Sequence, residues 1–150
     1  SKGAAWDCPA TIQFNLPALE KHPRMADLLE VMRRWEDVRA KKWLTDAQRE
    51  ALKDPKREFH LYLDDKGAYT LYEIEMLPAS AEAKLLRGFV FERDGKRVVA
   101  YWHTRGEGEF TLDWAGPKTL KADKMRYLET PMTKAEIAKA FSTAKEGGTK

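Results

Sequence analysis

At 150 residues and 43% hydrophobic residues, the chain is long enough to form one compact domain with a buried core. Its 27 basic and 24 acidic residues are interleaved and leave a net charge of +3, which argues against a nucleic-acid-binding surface. No apolar run reaches the roughly 18 residues that a membrane-spanning helix needs. We therefore expect neither nucleic acid nor a membrane as a partner. The chain begins at Ser1 rather than at a methionine, so we expect a processed or excised piece, and the sequence assigns no compartment.

The first segment, residues 6–14, predicts an extended stretch because Pro9 excludes a regular central strand. Ile12 and Phe14 can dock on one side of it. Cys8 has no partner for an internal disulfide, and its apolar neighbours predict a buried, unreactive thiol.

Two helices are expected next. Asn15 is a good N-cap for a short helix that should end near His22, before Pro23. A long helix follows, and its apolar residues recur at three- and four-residue spacing. These residues are Met25, Leu28, Leu29, Met32, Trp35 and Val38. Trp35 and Trp43 should pack this helix against a sheet, and the basic run of residues 33–42 is interpreted as a solvated helix face rather than a polyanion site.

The pattern then changes from helix to strand. Residues 45–48 (Thr-Asp-Ala-Gln) match a capping box and predict a short helix that Asp54-Pro55 ends. Alternating residues predict one strand over residues 59–63 and a second over 68–76, with a turn at residues 64–67 between them.

Residues 89–103 predict a β-hairpin, the clearest element of the chain. Asp94-Gly95 supplies the positive φ angles that a two-residue hairpin turn requires. A period of two allows one apolar face that extends into the following strand. The residues expected on that face are Phe89, Phe91, Val98, Ala100, Trp102, Phe110 and Leu112.

The C-terminal third predicts shorter elements. Residues 114–124 should be mostly loop with a short strand near Leu120, and residues 125–129 should form a last strand. Thr133 to Glu136 repeats the capping-box pattern and begins a closing helix that we expect Gly147-Gly148 to stop.

Helices first, strands in the middle and one helix last are typical of an α+β fold. We expect N-terminal helices packed on an antiparallel, sandwich-like β-sheet domain, with a C-terminal helix. The best division lies near residues 53–56, giving a helical segment (1–54) and a β-domain with its closing helix (55–150), together in one compact unit.

No residue pattern predicts catalysis. His60 and His103 would be neighbours if their strands paired, but no acidic or cysteine residue stands at ligand spacing to complete a metal site. Glu73 and Glu75, like the pair Glu107 and Glu109, would share one strand face, whereas acid–base work needs carboxyl groups facing each other across a substrate. We therefore predict no metal, no cofactor and no catalytic residue.

Aromatic residues are the better candidates for binding, because flat rings stack on the C–H faces of sugars. Trp114, beside Gly116-Pro117 at a strand end, is the best exposed candidate. Trp102 is expected in the core, and Tyr101 lies on the opposite face, either at the outer surface or under a helix. Tyr127 completes the candidate set.

Six segments resemble the C-terminal portion of large bacterial glycoside-hydrolase-like proteins. They are Trp6-Asp-Cys-Pro, His22-Pro-Arg24, residues 34–39 with Leu44-Thr45, Glu58-Phe-His-Leu61, residues 88–93, and Ala100-Tyr-Trp-His-Thr104. In that family a (β/α)₈ catalytic barrel is followed by a small antiparallel β-domain. The resemblance implies that residues up to Trp43 pack on a barrel, and that the catalytic carboxylates lie upstream.

These observations predict a non-catalytic accessory domain of a carbohydrate-active protein. It would support a neighbouring catalytic domain, met by the apolar long helix, and contact an oligosaccharide through Trp114, Tyr101, Trp102 or Tyr127. The alternative is a stand-alone small enzyme or ligand-binding protein with a pocket between helix and sheet, and a third option is a pure interaction module.

Overall fold

The computed structural model of the chain describes residues 2–11, 13 and 15–147. The α+β fold is confirmed, with antiparallel sheets, helices at the N-terminus and a helix near the C-terminus. The helices are α1 (Lys2–Ala5), α2 (Leu16–Lys21), α3 (Met25–Ala40), α4 (Asp46–Lys53) and α5 (Lys134–Ser142). The strands are β1 (Glu58–Leu63), β2 (Tyr69–Met76), β3 (Leu86–Arg93), β4 (Lys96–His103), β5 (Glu109–Asp113), β6 (Pro117–Lys121), β7 (Arg126–Thr130) and β8 (Lys145–Glu146).

The chain divides into two compact units, residues 1–73 and 74–150. The predicted division at residues 54 and 55 falls inside the first unit, between α4 and β1. Strand β2 runs across the boundary: it neighbours β1 in the first unit, and its end pairs in the second unit, where Glu75 faces Val90 and Met76 faces Phe89 of β3.

The first unit packs its helices on the β1–β2 hairpin. Its core consists of Ala4, Ala5, Trp35, Val38, Leu44, Leu52 and Leu61, with Trp43, Phe59, Tyr69 and Leu71 at the margin. The predicted packing of both tryptophans is confirmed: Trp35 is buried, and the ring of Trp43 meets Tyr69 of β2 edge-on at 6.1 Å. Thr45 and Gln48 form the predicted capping box at the start of α4.

The N-terminal segment contains a helical turn ahead of the extended stretch that the sequence predicts for residues 6–14. Residues 2–5 form α1, and burying its two small alanines, which lose no side-chain entropy, favours this turn. Residues 6 and 7 form a turn, and the described residues from 8 to 13 belong to no helix or strand. Cys8 is exposed rather than buried. Ile12 and Phe14, for which we expected docking, lie outside the described residues.

The second unit is built on the predicted β3–β4 hairpin. Asp94 and Gly95 have φ angles of 52° and 74°, as a two-residue type I′ turn requires, and the register runs from Leu86 opposite His103 to Arg93 opposite Lys96. β7 pairs with β4 on the other side of the hairpin. A second antiparallel sheet has the order β6-β5-β8, so the predicted strand near Leu120 is confirmed as β6.

One prediction about strand faces is wrong. Phe110 and Leu112 pack with Val90, Val99 and helix α5, in the main core of the second unit. The register places Phe89, Phe91, Val98 and Ala100 on the opposite face of the hairpin. Alternation assigns residues to one of two faces within a strand, but the turn between β4 and β5 decides which face the next strand covers.

The C-terminus also differs from its prediction. The capping box at Thr133 and Glu136 begins α5 as expected, but the helix ends at Ser142. The chain then adds β8 beside β5, with Lys145 opposite Thr111. Gly147 follows this strand instead of stopping the helix, because its N–H donates to the carbonyl oxygen of Glu109 at 2.7 Å.

We predict that Gly88→Ala destabilises the protein by about 2–3 kcal/mol, because overpacking in a rigid core forces side chains and backbone to shift. A Cβ atom at Gly88 would lie 2.7 Å from Cε1 of Phe141 and 2.9 Å from the carbonyl oxygen of Ala100. Urea denaturation measures the change. The control is Gly67→Ala in an open turn with φ of +80°, which should cost only about 1 kcal/mol from backbone strain. Equal losses in the two variants would contradict the prediction.

Candidate functional site

The four aromatic candidates do not form one surface. Trp102 and Tyr127 lie on the face of β4 and β7 that also carries Ala100, because Tyr127 is the direct cross-strand partner of Ala100. Tyr101 and Trp114 belong to the other side, where they contact the core that contains α5. A single oligosaccharide cannot stack on rings from both faces of one sheet.

Tyr127 is the one exposed member of this set, at 40% of its full accessibility. Its ring meets Phe91 edge-on at 6.4 Å, and its hydroxyl donates to Sδ of Met125 at 3.4 Å. Trp102 is half-buried and meets Phe89 edge-on at 5.9 Å. Tyr127 and Trp102 are therefore both in contact with the aromatic residues of β3, and Tyr127 keeps the larger exposed fraction.

Tyr101 and Trp114 have packing roles. Of the two sequence alternatives for Tyr101, the structure supports packing under a helix: the side chain is buried in the core beside Ile137 and Phe141. Burial raises the pKa of its phenol. Trp114, expected to be the best exposed ring, is half-buried because its indole packs edge-on against Phe141 at 6.4 Å.

The histidines do not assemble a site. His60 lies on β1 and His103 on β4, and β4 pairs with β3 and β7 instead. His103 is buried against Phe110, its Nδ1 accepts a hydrogen bond from the Arg105 N–H at 3.1 Å, and its Nε2 lies 3.8 Å from Oε1 of Glu146. These contacts describe a packed, oriented core side chain.

The carboxylates of Glu73 and Glu75 are both engaged with cations. Glu73 receives two hydrogen bonds from Arg57, and Glu75 lies 3.2 Å from Nζ of Lys134. Among the described residues, no three histidine, cysteine or acidic side chains gather closely enough to hold a metal ion. Within the same residues, no helix has the length and apolar character needed to cross a membrane.

Part of the apolar stripe that periodicity predicts on helix α3 is exposed. Leu28, Val31, Trp35 and Val38 follow one stripe of the helix at spacings of three, four and three residues. Trp35 and Val38 are 9% and 0% exposed, whereas Leu28 and Val31 are 48% and 46% exposed. Leu29 is also exposed, but it lies about 100° around the helix from Leu28 and about 160° from Val31, outside this stripe. We call Leu28 and Val31 the α3 apolar surface.

A second feature of the first unit is a cavity of about 410 Å³ between α1, the end of α3 and α4. Its charged and aromatic lining residues are Trp6, Asp7, Arg39, Lys42, Arg49 and Lys53. We call it the α1–α3–α4 cavity. Its volume lies within the range of about 300–1,000 Å³ that is typical of small-ligand sites.

Sequence reasoning missed this cavity for an identifiable reason. The basic run of residues 33–42 is typical of a solvated helix face, and the sequence predicts an extended segment around Trp6. The two signals lie far apart in the sequence, and only the packing of α1 against α3 and α4 brings them together.

No protein-family model, curated protein or solved structure matches this chain. The residues and their geometry are therefore the basis for assigning a function.

We predict that the free energy of unfolding decreases as the pH falls from about 6.5 to 4, because His60 is neutral in the folded protein in this range. Burial, and secondarily the positive charge of Arg34, lower the pKa of His60 from 6.5 to about 4. Between these two values the unfolded chain binds a proton that the folded chain does not, so the free energy of unfolding decreases. Above about pH 7 both states are neutral at His60 and the residue has no effect. At pH 5 the expected loss is about 2 kcal/mol.

Urea denaturation of the protein and of His60→Gln at pH 7 and pH 5 measures this loss. Each variant is compared with its own value at pH 7, so any general cost of the substitution cancels. The variant should lose about 2 kcal/mol less than the unmodified protein between the two pH values. An identical decrease in both proteins would contradict the assignment.

Proposed function

We propose that the chain is a non-catalytic accessory module of a larger carbohydrate-active protein. It docks on a neighbouring domain of the same polypeptide through the α3 apolar surface. The observation that carries this proposal is the stripe of α3, which is buried at Trp35 and Val38 and continues, uncovered, through Leu28 and Val31. The carbohydrate-active part of the proposal is supported by the sequence resemblance, which segments such as residues 34–39 and 100–104 carry.

The energetics favour a covered stripe. Moving a leucine or valine side chain from water into a packed interface stabilises by about 1.5–3 kcal/mol, and side chains that are already half-buried gain about half of this. Covering Leu28 and Val31 therefore contributes about 2 kcal/mol to docking.

Ion pairs within α3 hold the charged side chains that neighbour the α3 apolar surface. Glu30 accepts hydrogen bonds from Arg33 and Arg34 at 2.7 Å, and these two guanidinium groups lower the pKa of Glu30 to about 2. The two arginines thus share one carboxylate within α3, which leaves an excess of positive charge beside the stripe. A docking partner would meet the stripe itself with an apolar face.

Two valines on α3, one buried and one exposed, test whether the exposed part of the stripe contributes to the stability of the fold. In this chain alone, Val38→Ala should cost about 2 kcal/mol, because it leaves a cavity in the core. Val31→Ala should change stability by less than about 0.5 kcal/mol, because the side chain is exposed and alanine is the better helix former. Thermal or urea denaturation measures both. A large loss for Val31→Ala would show that the residue serves the fold and would contradict the docking role.

Photo-crosslinking in the full parent polypeptide tests docking directly. A benzophenone amino acid at Leu28 should crosslink to the neighbouring domain, whereas the same group at exposed Lys66, in the β1–β2 turn, should not. Mass spectrometry of the digested product identifies the attached segment. Failure to crosslink from Leu28, or a coding sequence that contains no neighbouring domain, would overturn the proposal.

A further inference from the structure

The α1–α3–α4 cavity has a strongly biased charge. Four cations line it, namely Arg39, Lys42, Arg49 and Lys53, against the single carboxylate of Asp7. The other carboxylates that pair with these cations lie outside the lining: Glu36 with Arg39, Asp46 with Arg49, and Glu50 with Lys53. Three of the four cations are therefore already paired, and among the described residues Lys42 is the cavity cation that is available to an anionic ligand.

Lys42 is the least constrained of the four cations. Its side chain is exposed, and within the described part of the chain no carboxylate pairs with it. Arg39, by contrast, is held by Glu36 at 3.0 Å and by Asp7 at 3.1 Å, and these two carboxylates raise its pKa. Lys42 is therefore the cation that a bound anion would engage with the smallest loss of existing contacts.

The backbone at Lys42 is an unusual place for a lysine. α3 ends in a Schellman motif: the N–H of Trp43 donates to the carbonyl oxygen of Val38 at 2.9 Å, and the N–H of Lys42 to that of Arg39 at 3.0 Å. The left-handed position of this motif is usually glycine, yet here it is Lys42 with φ of 50°. A side chain in this conformation is disfavoured relative to glycine, so its presence beside a cavity suggests a role in function.

The same arrangement occurs across the cavity. α1 also ends in a Schellman motif, in which Cys8 N–H donates to Gly3 at 2.8 Å and Asp7 takes the left-handed position with φ of 53°. Two helices thus end beside one cavity with charged residues at positions where glycine is typical. Asp7 in turn binds Arg39, which fixes the turn that carries Trp6 to the end of α3.

Trp6 supplies an aromatic surface next to these charges. It is the most exposed large hydrophobic side chain among the described residues, at 63%, and Nζ of Lys53 lies 4.3 Å from the centroid of its ring. Most of this ring is therefore accessible to a ligand. Indole faces stack on the C–H surfaces of sugar rings, and a neighbouring cation strengthens binding when the sugar carries a negative group.

We propose that the α1–α3–α4 cavity binds an acidic saccharide, that is, a sugar chain bearing carboxylate groups. One ring stacks on Trp6, and Lys42 pairs with a carboxylate, with Lys53 and Arg49 beside it. The cations come from three separate places, the C-terminus of α3, the following turn and α4, so they match charges distributed along a chain better than the concentrated charge of one phosphate group. The choice of a sugar rests on the proposed function, whereas the bias toward an anion does not.

Isothermal titration with a galacturonic acid trisaccharide tests the proposal, with the indole N–H peak of Trp6 followed by NMR. We expect saturable binding that weakens as the salt concentration rises, and a shift of the Trp6 peak. A neutral galactose trisaccharide of the same length should not bind at millimolar concentration. Trp6→Ala should lower the affinity about tenfold through the loss of ring stacking.

Lys42→Gly is the decisive variant, because the structural and the binding roles of Lys42 predict opposite results. Glycine is the preferred residue at this position of a Schellman motif, so the midpoint of thermal unfolding should be unchanged or higher. Affinity for the acidic trisaccharide should nevertheless fall about tenfold, since one charge-assisted contact is lost. Lys66→Gln, which removes the same charge from a turn outside the cavity, should leave affinity unchanged.

Several results would overturn the proposal: no binding of the acidic trisaccharide, an unshifted Trp6 peak, equal binding of the neutral sugar, or an equal loss of affinity in Lys66→Gln. Tighter binding of inorganic phosphate or of adenosine monophosphate than of the trisaccharide would identify a phosphate site instead and would also overturn it. None of the cavity residues belongs to the α3 apolar surface, so crosslinking from Leu28 and sugar binding succeed or fail separately.

Discussion

The second unit depends on a β-hairpin that is buried on both faces. In β3 and β4, Val90 and Val99 face the core that contains α5, and Phe91 and Val98 on the opposite face are also fully buried. Neither face can be polar, so the hairpin reads as a nearly continuous apolar run and other elements must pack on it. Its register is fixed by the two-residue turn at Asp94 and Gly95, which a slip by one residue would destroy.

The close packing over this hairpin explains where helix α5 sits. Gly88 leaves room on β3 for the ring of Phe141, and β5 and β6 contribute Phe110 and Leu120 to the same core. The aromatic side chains that looked suited to binding in the sequence are largely used here for packing. Trp114, for example, lies between β5 and β6 and packs against Phe141 of α5.

The first unit leaves more of its chemistry at the surface. In helix α3, the apolar stripe is buried only in the C-terminal half. In the N-terminal half its residues Leu28 and Val31 are exposed. At the opposite end of this helix, Lys42 adopts a left-handed conformation beside an exposed indole. The two ends of one helix thus provide the basis for the two proposals, docking at one end and binding of an acidic sugar at the other.

Local elements could be predicted from the order and type of neighbouring residues. The capping boxes at Thr45 and Thr133, the N-cap at Asn15 and the turn at Asp94-Gly95 act through contacts within a few residues, so composition and spacing were sufficient to place them. The α+β class followed from the order of these elements. Short elements such as α1 and β8 were missed, because four residues or two have no periodicity and are stable only through the partners they pack against.

Which faces are covered depends on the packing of the whole fold. Periodicity gave α3 a continuous apolar stripe, but it could not tell that Trp35 and Val38 meet a core while Leu28 does not, because coverage depends on where the neighbouring elements end. The cavity lined by Trp6 and Lys42 has the same origin: these residues are distant in sequence and are brought together by packing of α1 against α3 and α4. The tendency to form a helix, strand or turn depends on each residue and its near neighbours. The exposure of a side chain and the meeting of residues distant in sequence depend on the whole fold, and the candidate sites rest on these two properties.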